Sequence, residues 1–109
     1  MQCLIFICRE NGQIRVREND VLHLIVINGI KLYPDFTIMN PINGEIYIWE
    51  HFGLMEDEKY RKNAEQKLEL YMRAGYYPMV NLIITTETAD HPLDYGLVCD
   101  LIDHYFVSR

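Results

Sequence analysis

Ile30-Lys31-Leu32-Tyr33-Pro34-Asp35-Phe36-Thr37-Ile38-Met39, the turn Asn40-Pro41-Ile42-Asn43-Gly44, and Glu45-Ile46-Tyr47-Ile48-Trp49-Glu50-His51-Phe52 decide how this chain is read. Two apolar-rich runs flank an Asn-Gly signal, the pattern of an antiparallel hairpin. With the turn centred on 42–43, Met39 faces Ile46, Thr37 faces Ile48, and Asp35 faces Glu50. Opposed side chains on one face lie roughly 4.5–5.5 Å apart at Cβ, and like charges there destabilise the pair. A divalent cation between the two acids removes the conflict, because hard oxygen ligands suit Mg²⁺ or Mn²⁺. Two acids at strand ends that face water need no cation. A slip of one residue would put Glu50 on the face opposite Asp35.

Outward from this hairpin, the 109 residues fit a single domain spanning 1–109. Half of them are hydrophobic and eight are tyrosine, which argues for a packed core. No apolar run is long enough to cross a bilayer. Residues 2–8 lack a basic leader and run directly into Arg9-Glu10. They read as a strand rather than a signal peptide, so the expected location is the cytoplasm. Cys3, Cys8 and Cys99 form no CxxC pair and read as buried free thiols. The four histidines show no metal-ligand spacing. A net charge of −6 argues against a protein that coats nucleic acid by bulk charge alone. It leaves room for local basic surface at Lys59, Arg61 and Lys62, or at Arg15 and Arg17.

Asn11-Gly12 joins strand 2–8 to a partner at 14–17. Val21 to Ile27 is the next strand, and Ile30 to Met39 returns antiparallel to it across Asn28-Gly29. Pro34 cannot donate to a ladder and so marks an edge position or a bulge, which re-aims Asp35. A helix is expected over 56–74, with acids in its first turn and Gly75 as its cap. Its apolar stripe is Tyr60, Ala64, Leu68 and Tyr71, and Lys67 projects from the middle of it. That ammonium either finds a buried partner or snorkels to the surface. Residues 80–86 read as a buried strand, parallel to 45–52 through the helix. A second helix is expected over 93–107, with Leu93, Leu97, Val98, Leu101, Ile102, Tyr105 and Phe106 inward. The expected fold is α/β: a mixed sheet of four or five strands, an antiparallel meander followed by helix, parallel strand and helix.

An aspartate after a proline, a glutamate on the next strand and a lysine on the packing helix suit metal-assisted phosphodiester hydrolysis. Here the chain resembles the PD-(D/E)XK nuclease superfamily, the restriction-endonuclease-like fold, over about residues 22–107. Pro34-Asp35 matches the PD, and Glu50 the acid of the following strand. The family's usual lysine position holds Phe52. Some branches move that lysine to the next helix, where Lys67 stands, and Lys67 with Tyr71 is similar to a helical QxxxY motif. Tyr33 to Thr37, Trp49 to Gly53, Tyr60, Lys67, Tyr71 and Thr86 look like a divergent bacterial subgroup found with helicase-like proteins.

The resemblance implies a Mg²⁺- or Mn²⁺-dependent nuclease acting on DNA. Asp35, Glu50 and the His51 carbonyl would hold the metal. Lys67 would orient the attacking water, and Tyr71 would hold Lys67 or a phosphate. The family's opening helix has no counterpart here, so the chain reads as a fragment, a degenerate copy, or one half of an assembly with a partner. Its expected partners, besides nucleic acid, are a second copy or a larger helicase-type protein. The competing reading is a catalytically inactive nuclease-like module that binds nucleic acid or a protein. A third is a structural fragment without a ligand.

Overall fold

The structure, a computed structural model, describes residues 3–10, 13–19 and 25–107, with side chains for 25–107. The sequence-predicted strand at Val21 begins among residues 20–24, outside the described residues, as do the side chains of Cys3, Cys8, Arg15 and Arg17. The fold is mixed α/β. β1 (Cys3–Glu10) and β2 (Gln13–Asn19) form the expected antiparallel hairpin. β3 (Ile25–Ile27) and β4 (Ile30–Leu32) make a separate two-stranded ribbon. Asn28 and Gly29 between them both take positive φ, as the tight hairpin turn requires.

The expected strand 30–39 is broken. Its first part belongs to the ribbon, whereas β5 (Phe36–Met39) joins the main sheet. Tyr33-Pro34-Asp35 crosses between them, with Pro34 fully buried at the crossing. Pro34 has no N–H to offer either ladder, so the break falls where one ladder must end. Pro34 thus lies in neither strand, and marks a break between two ladders rather than an edge position or a bulge within one.

The main sheet runs β2-β1-β5-β6-β7, where β6 is Ile46–Phe52 and β7 is Leu82–Thr86. The meander is therefore interrupted, because β1 lies parallel beside β5. β5 and β6 pair antiparallel in the expected register, Met39 with Ile46 and Thr37 with Ile48. β7 is parallel to β6 and is reached through α1 (Glu58–Arg73), as the sequence predicts.

β6 lies between β5 and β7 and is buried on both faces. Ile48 and Leu82 pack with Tyr71 of α1 and Leu32 of the ribbon. Tyr47, Trp49, Ile38 and Ile83 pack with Phe106 on the other face, under α2 (Tyr95–Ile102) and the π-helical turn Asp103–Val107 that follows it. Alternation along β6 thus sends Glu50 toward α1 and His51 toward the opposite face.

Asp57 caps α1 by accepting the Tyr60 N–H at 2.9 Å, and Gly75 follows the helix at φ +96. α2 starts two residues later than expected. Asp94 is its cap, accepting the Gly96 N–H at 2.8 Å, and Pro92 lies outside the helix. Leu97 and Cys99 are exposed rather than buried, because Val98, Leu101 and Ile102 form the face that α2 lays on the sheet.

Asn40 ties the β5–β6 turn to the far end of the chain. It is buried; its side-chain oxygen accepts the Ile42 N–H at 2.9 Å, and its amide donates to the Tyr105 carbonyl at 2.9 Å. Asn40→Ala removes the donor to the Tyr105 carbonyl and an acceptor of the Ile42 N–H from a buried position. The expected cost is about 1–3 kcal/mol in urea unfolding, against near neutrality for Asn43→Ala at the exposed tip.

Candidate functional site

Glu50 is 1% exposed, a carboxylate on the face that packs α1. Such burial demands partners. Two come from one stripe of α1, four residues apart: the Tyr71 hydroxyl donates to Glu50 Oε1, and the Lys67 ammonium lies 3.0 Å from the same oxygen. Lys67 is the intruder in the apolar stripe, and the structure turns it inward onto Glu50. Its side chain keeps 30% exposure, so the ammonium sits at the wall of an open cleft. Burial pushes the Glu50 carboxyl above its usual range. The Tyr71 hydrogen bond and the Lys67 charge oppose that rise, and Asp35 adds a smaller push in the same direction. Burial, then the bond to Glu50, drives the Tyr71 phenol up as well.

Asp35 does not oppose Glu50 as a ladder pair. The ladder ends at Phe36 and Trp49, and Asp35 lies in the crossing just beyond it. Its Oδ2 accepts the His51 N–H at 2.9 Å. The expected conflict between two opposed acids is thus reduced, and the chief burden on Glu50 is desolvation rather than Asp35.

Asp35, Glu50, His51, Phe52, Tyr60, Asn63, Ala64 and Lys67 line a cleft of about 270 Å³. Tyr71 lies beneath it, fully buried. Tyr60 is fixed by the Gly53 N–H, which donates to its hydroxyl at 3.1 Å. Asn63 had no role in the sequence reading. Its position one helical turn before Lys67 on the same stripe was the available signal. Thr86 pairs with Phe52 at the sheet end, outside the cleft lining.

His51 serves the cleft through its backbone alone. The Ile48 N–H and the Phe52 carbonyl both bond toward the β7 side. The N–H and carbonyl of His51, odd in the alternation, face the Asp35 side. The ring points through to the other face, with Nδ1 2.8 Å from Thr85 Oγ1 and Nε2 2.7 Å from Glu87 Oε1. The bond from His51, then that from the Leu93 N–H, holds the Glu87 carboxyl below its usual range.

No cluster of three His, Cys, Asp or Glu side chains suited to a metal occurs among the described residues. The donor set is two carboxylates and a carbonyl. Glu50 Oε2 is buried and has no hydrogen-bond partner among the described residues, and neither has Asp35 Oδ1. Two carboxylates on one cleft are a donor set of the size Mg²⁺ uses, since that ion is held by one or two carboxylates and completes its shell with water and substrate phosphate.

No family model and no solved structure matches the chain. A stretch of 48 residues, 43% of the chain, is 40% identical to part of uncharacterized protein MJ1519 of Methanocaldococcus jannaschii, of whose length it covers 4%. Among the described residues no helix is long and apolar enough to cross a membrane.

Proposed function

We propose that the chain hydrolyses phosphodiester bonds of nucleic acid, DNA foremost, with a divalent cation at Asp35 and Glu50. The observation that carries this reading is the Lys67 ammonium 3.0 Å from buried Glu50, on a cleft that Asp35 shares. An isolated structural ion pair gains little in such a place, and an apolar pair would fill it as well. Asp35 Oδ1, Glu50 Oε2 and the His51 carbonyl would hold the cation. When bound, it would supply Lewis acidity and lower the pKa of an attacking water.

The chain's own residues do the rest. Lys67 orients that water and balances charge developing on the phosphate. Glu50 aims Lys67, and Tyr71 fixes Glu50 from below. Tyr60 and Asn63 wall the cleft and set what enters it.

Cleavage of labelled single- and double-stranded DNA and RNA, with Mn²⁺, Mg²⁺ or EDTA, tests the reading. Metal-dependent cleavage lost in Asp35→Asn supports it. Binding without cleavage by the wild type would instead establish the inactive module, a reading favoured by the small donor set.

A groove lined by Glu58, Lys59, Lys62, Asn63 and Gln66 runs along α1 and meets the cleft at Asn63. It is the natural path for a phosphate backbone. Lys59→Glu with Lys62→Glu is expected to weaken nucleic-acid binding. The slope of log affinity against log salt should fall by about 2, roughly one per lost phosphate contact. Fluorescence anisotropy across a salt series measures it, and an unchanged slope would place the strand elsewhere.

A further inference from the structure

We infer that Glu87 is a positioning residue of the cleft, acting from the opposite face of the sheet by clamping the ring of His51. This rests on the proposed cleavage reading in so far as it assigns a purpose to the clamp. The clamp itself stands on geometry alone.

His51 has two sides. Its N–H holds the Asp35 carboxylate at 2.9 Å on the cleft side. Its ring is held on the other face by Thr85 and Glu87. Donor and acceptor chemistry fixes the direction of the two outer bonds. Trp49 Nε1 only donates, and it donates to Thr85 Oγ1 at 3.1 Å. An ionised Glu87 only accepts, so His51 Nε2 carries the proton and donates to it. The Thr85 hydroxyl also bonds His51 Nδ1 at 2.8 Å, in the direction that the tautomer of the ring sets. The bonds join Trp49, Thr85, His51 and Glu87 in one chain, and a flipped ring would break both bonds that His51 makes.

Glu87 is itself anchored at both ends. Its other oxygen, Oε2, accepts the Leu93 N–H at 3.2 Å. Its own N–H donates to the Phe52 carbonyl at 2.9 Å. The peptide unit before His51 is thus held by Asp35, and the unit after Phe52 by Glu87.

Energy does not explain this much apparatus. His51 and Glu87 side chains are 24% and 33% exposed. Pairs so close to water contribute little to stability. What the clamp supplies is orientation. With the ring fixed, the His51 side chain no longer turns about its Cα–Cβ bond, and the strand segment that offers its N–H to Asp35 is held from both faces of the sheet. Partners that orient a ligand-bearing residue in this way typically change metal affinity or activity by about 10–100-fold when removed.

The test uses the full chain as wild type, Glu87→Ala and Glu87→Gln, with two readouts. Amide hydrogen exchange by NMR compares His51 with Ile48 and Trp49 on the same strand. Glu87→Ala is expected to speed exchange at His51 selectively. Mn²⁺-dependent cleavage is expected to lose about 10–100-fold in kcat with an unchanged KM for nucleic acid. Glu87→Gln keeps an acceptor oxygen for His51 and should restore most of both. Equal acceleration along β6, or a His51 amide indifferent to Glu87→Ala, overturns the clamp. Loss in Glu87→Gln equal to that in Glu87→Ala also overturns it. A wild type that cleaves nothing under any metal overturns the cleavage reading instead, and the exchange comparison still decides the clamp.

Discussion

Lys67→Ala is expected to cost about 10²–10³-fold in cleavage rate while the protein stays folded, the scale seen when one charge-stabilising donor is removed from an active site. The side chain is partly exposed at the cleft wall and carries no core packing that the fold depends on. The substitution does strip buried Glu50 of its cation. Lys67 is one of the causes that hold the Glu50 pKa down, so its loss lets burial raise that pKa further. A carboxyl with a raised folded pKa opposes folding once ionised. The stability deficit of Lys67→Ala should therefore be small near pH 5 and grow as pH rises. Lys67→Met refills the stripe with an apolar stem and should recover part of the stability near pH 5, but none of the activity. Urea unfolding at pH 5 and pH 8, beside cleavage assays, separates the two effects. Full cleavage by Lys67→Ala would remove the lysine from the chemistry.

Much of the sheet is legible because the deciding signals are local. The Asn28-Gly29 and Asn43-Gly44 turns announce their hairpins. The alternation of Ile46, Ile48 and Glu50 against Tyr47, Trp49 and His51 says which side chains share a face, while the register rests on where the turn is centred. What the sequence conceals is long-range partnership. Nothing in Ile30 to Met39 says that its halves serve different sheets; Pro34 says only that a ladder is interrupted. Nor does strand 2–8 announce that it lies parallel beside β5, since an apolar run suits either neighbour.

The site divides in the same way. Lys67 is conspicuous because a lysine in an apolar stripe violates the helix's own pattern, and a rule broken locally points to function. Asp35 is harder. The register correctly aligns it toward Glu50, but the ladder stops one residue short, and the carboxylate finds the His51 N–H instead. The Trp49–Thr85–His51–Glu87 clamp is illegible in the sequence. Its members are ordinary strand residues far apart in the chain, joined only by the parallel pairing of β6 with β7.

Glu50→Gln should separate the metal from the electrostatics. Burial raises the Glu50 pKa above its ordinary 4.5, so the folded protein resists its ionisation. Wild-type stability should accordingly fall as pH rises from about 4.5 through the raised folded value, and level off above it. The substituted glutamine keeps a carbonyl oxygen for the Tyr71 hydroxyl and carries no charge, while Lys67 has room to turn to water. The variant's stability should be flat over that pH range and exceed that of the metal-free wild type at neutral pH. It should also lose the response to metal. A cation at a hundredfold excess over its dissociation constant stabilises the wild type by about 2.7 kcal/mol, a rise in Tm of about 10 °C for a domain of this size. Asp35→Asn should lose that rise too, but keep the wild-type pH dependence. Asp35 is only a minor contributor to the Glu50 shift, and the substituted asparagine still offers an oxygen to the His51 N–H. Thermal melts of the three proteins from about pH 4 to 8, with EDTA and with millimolar Mn²⁺, read out both effects. A wild-type Tm indifferent to Mn²⁺ would remove the cation from Asp35 and Glu50. A pH dependence that persists in Glu50→Gln would mean that another group, not buried Glu50, sets it.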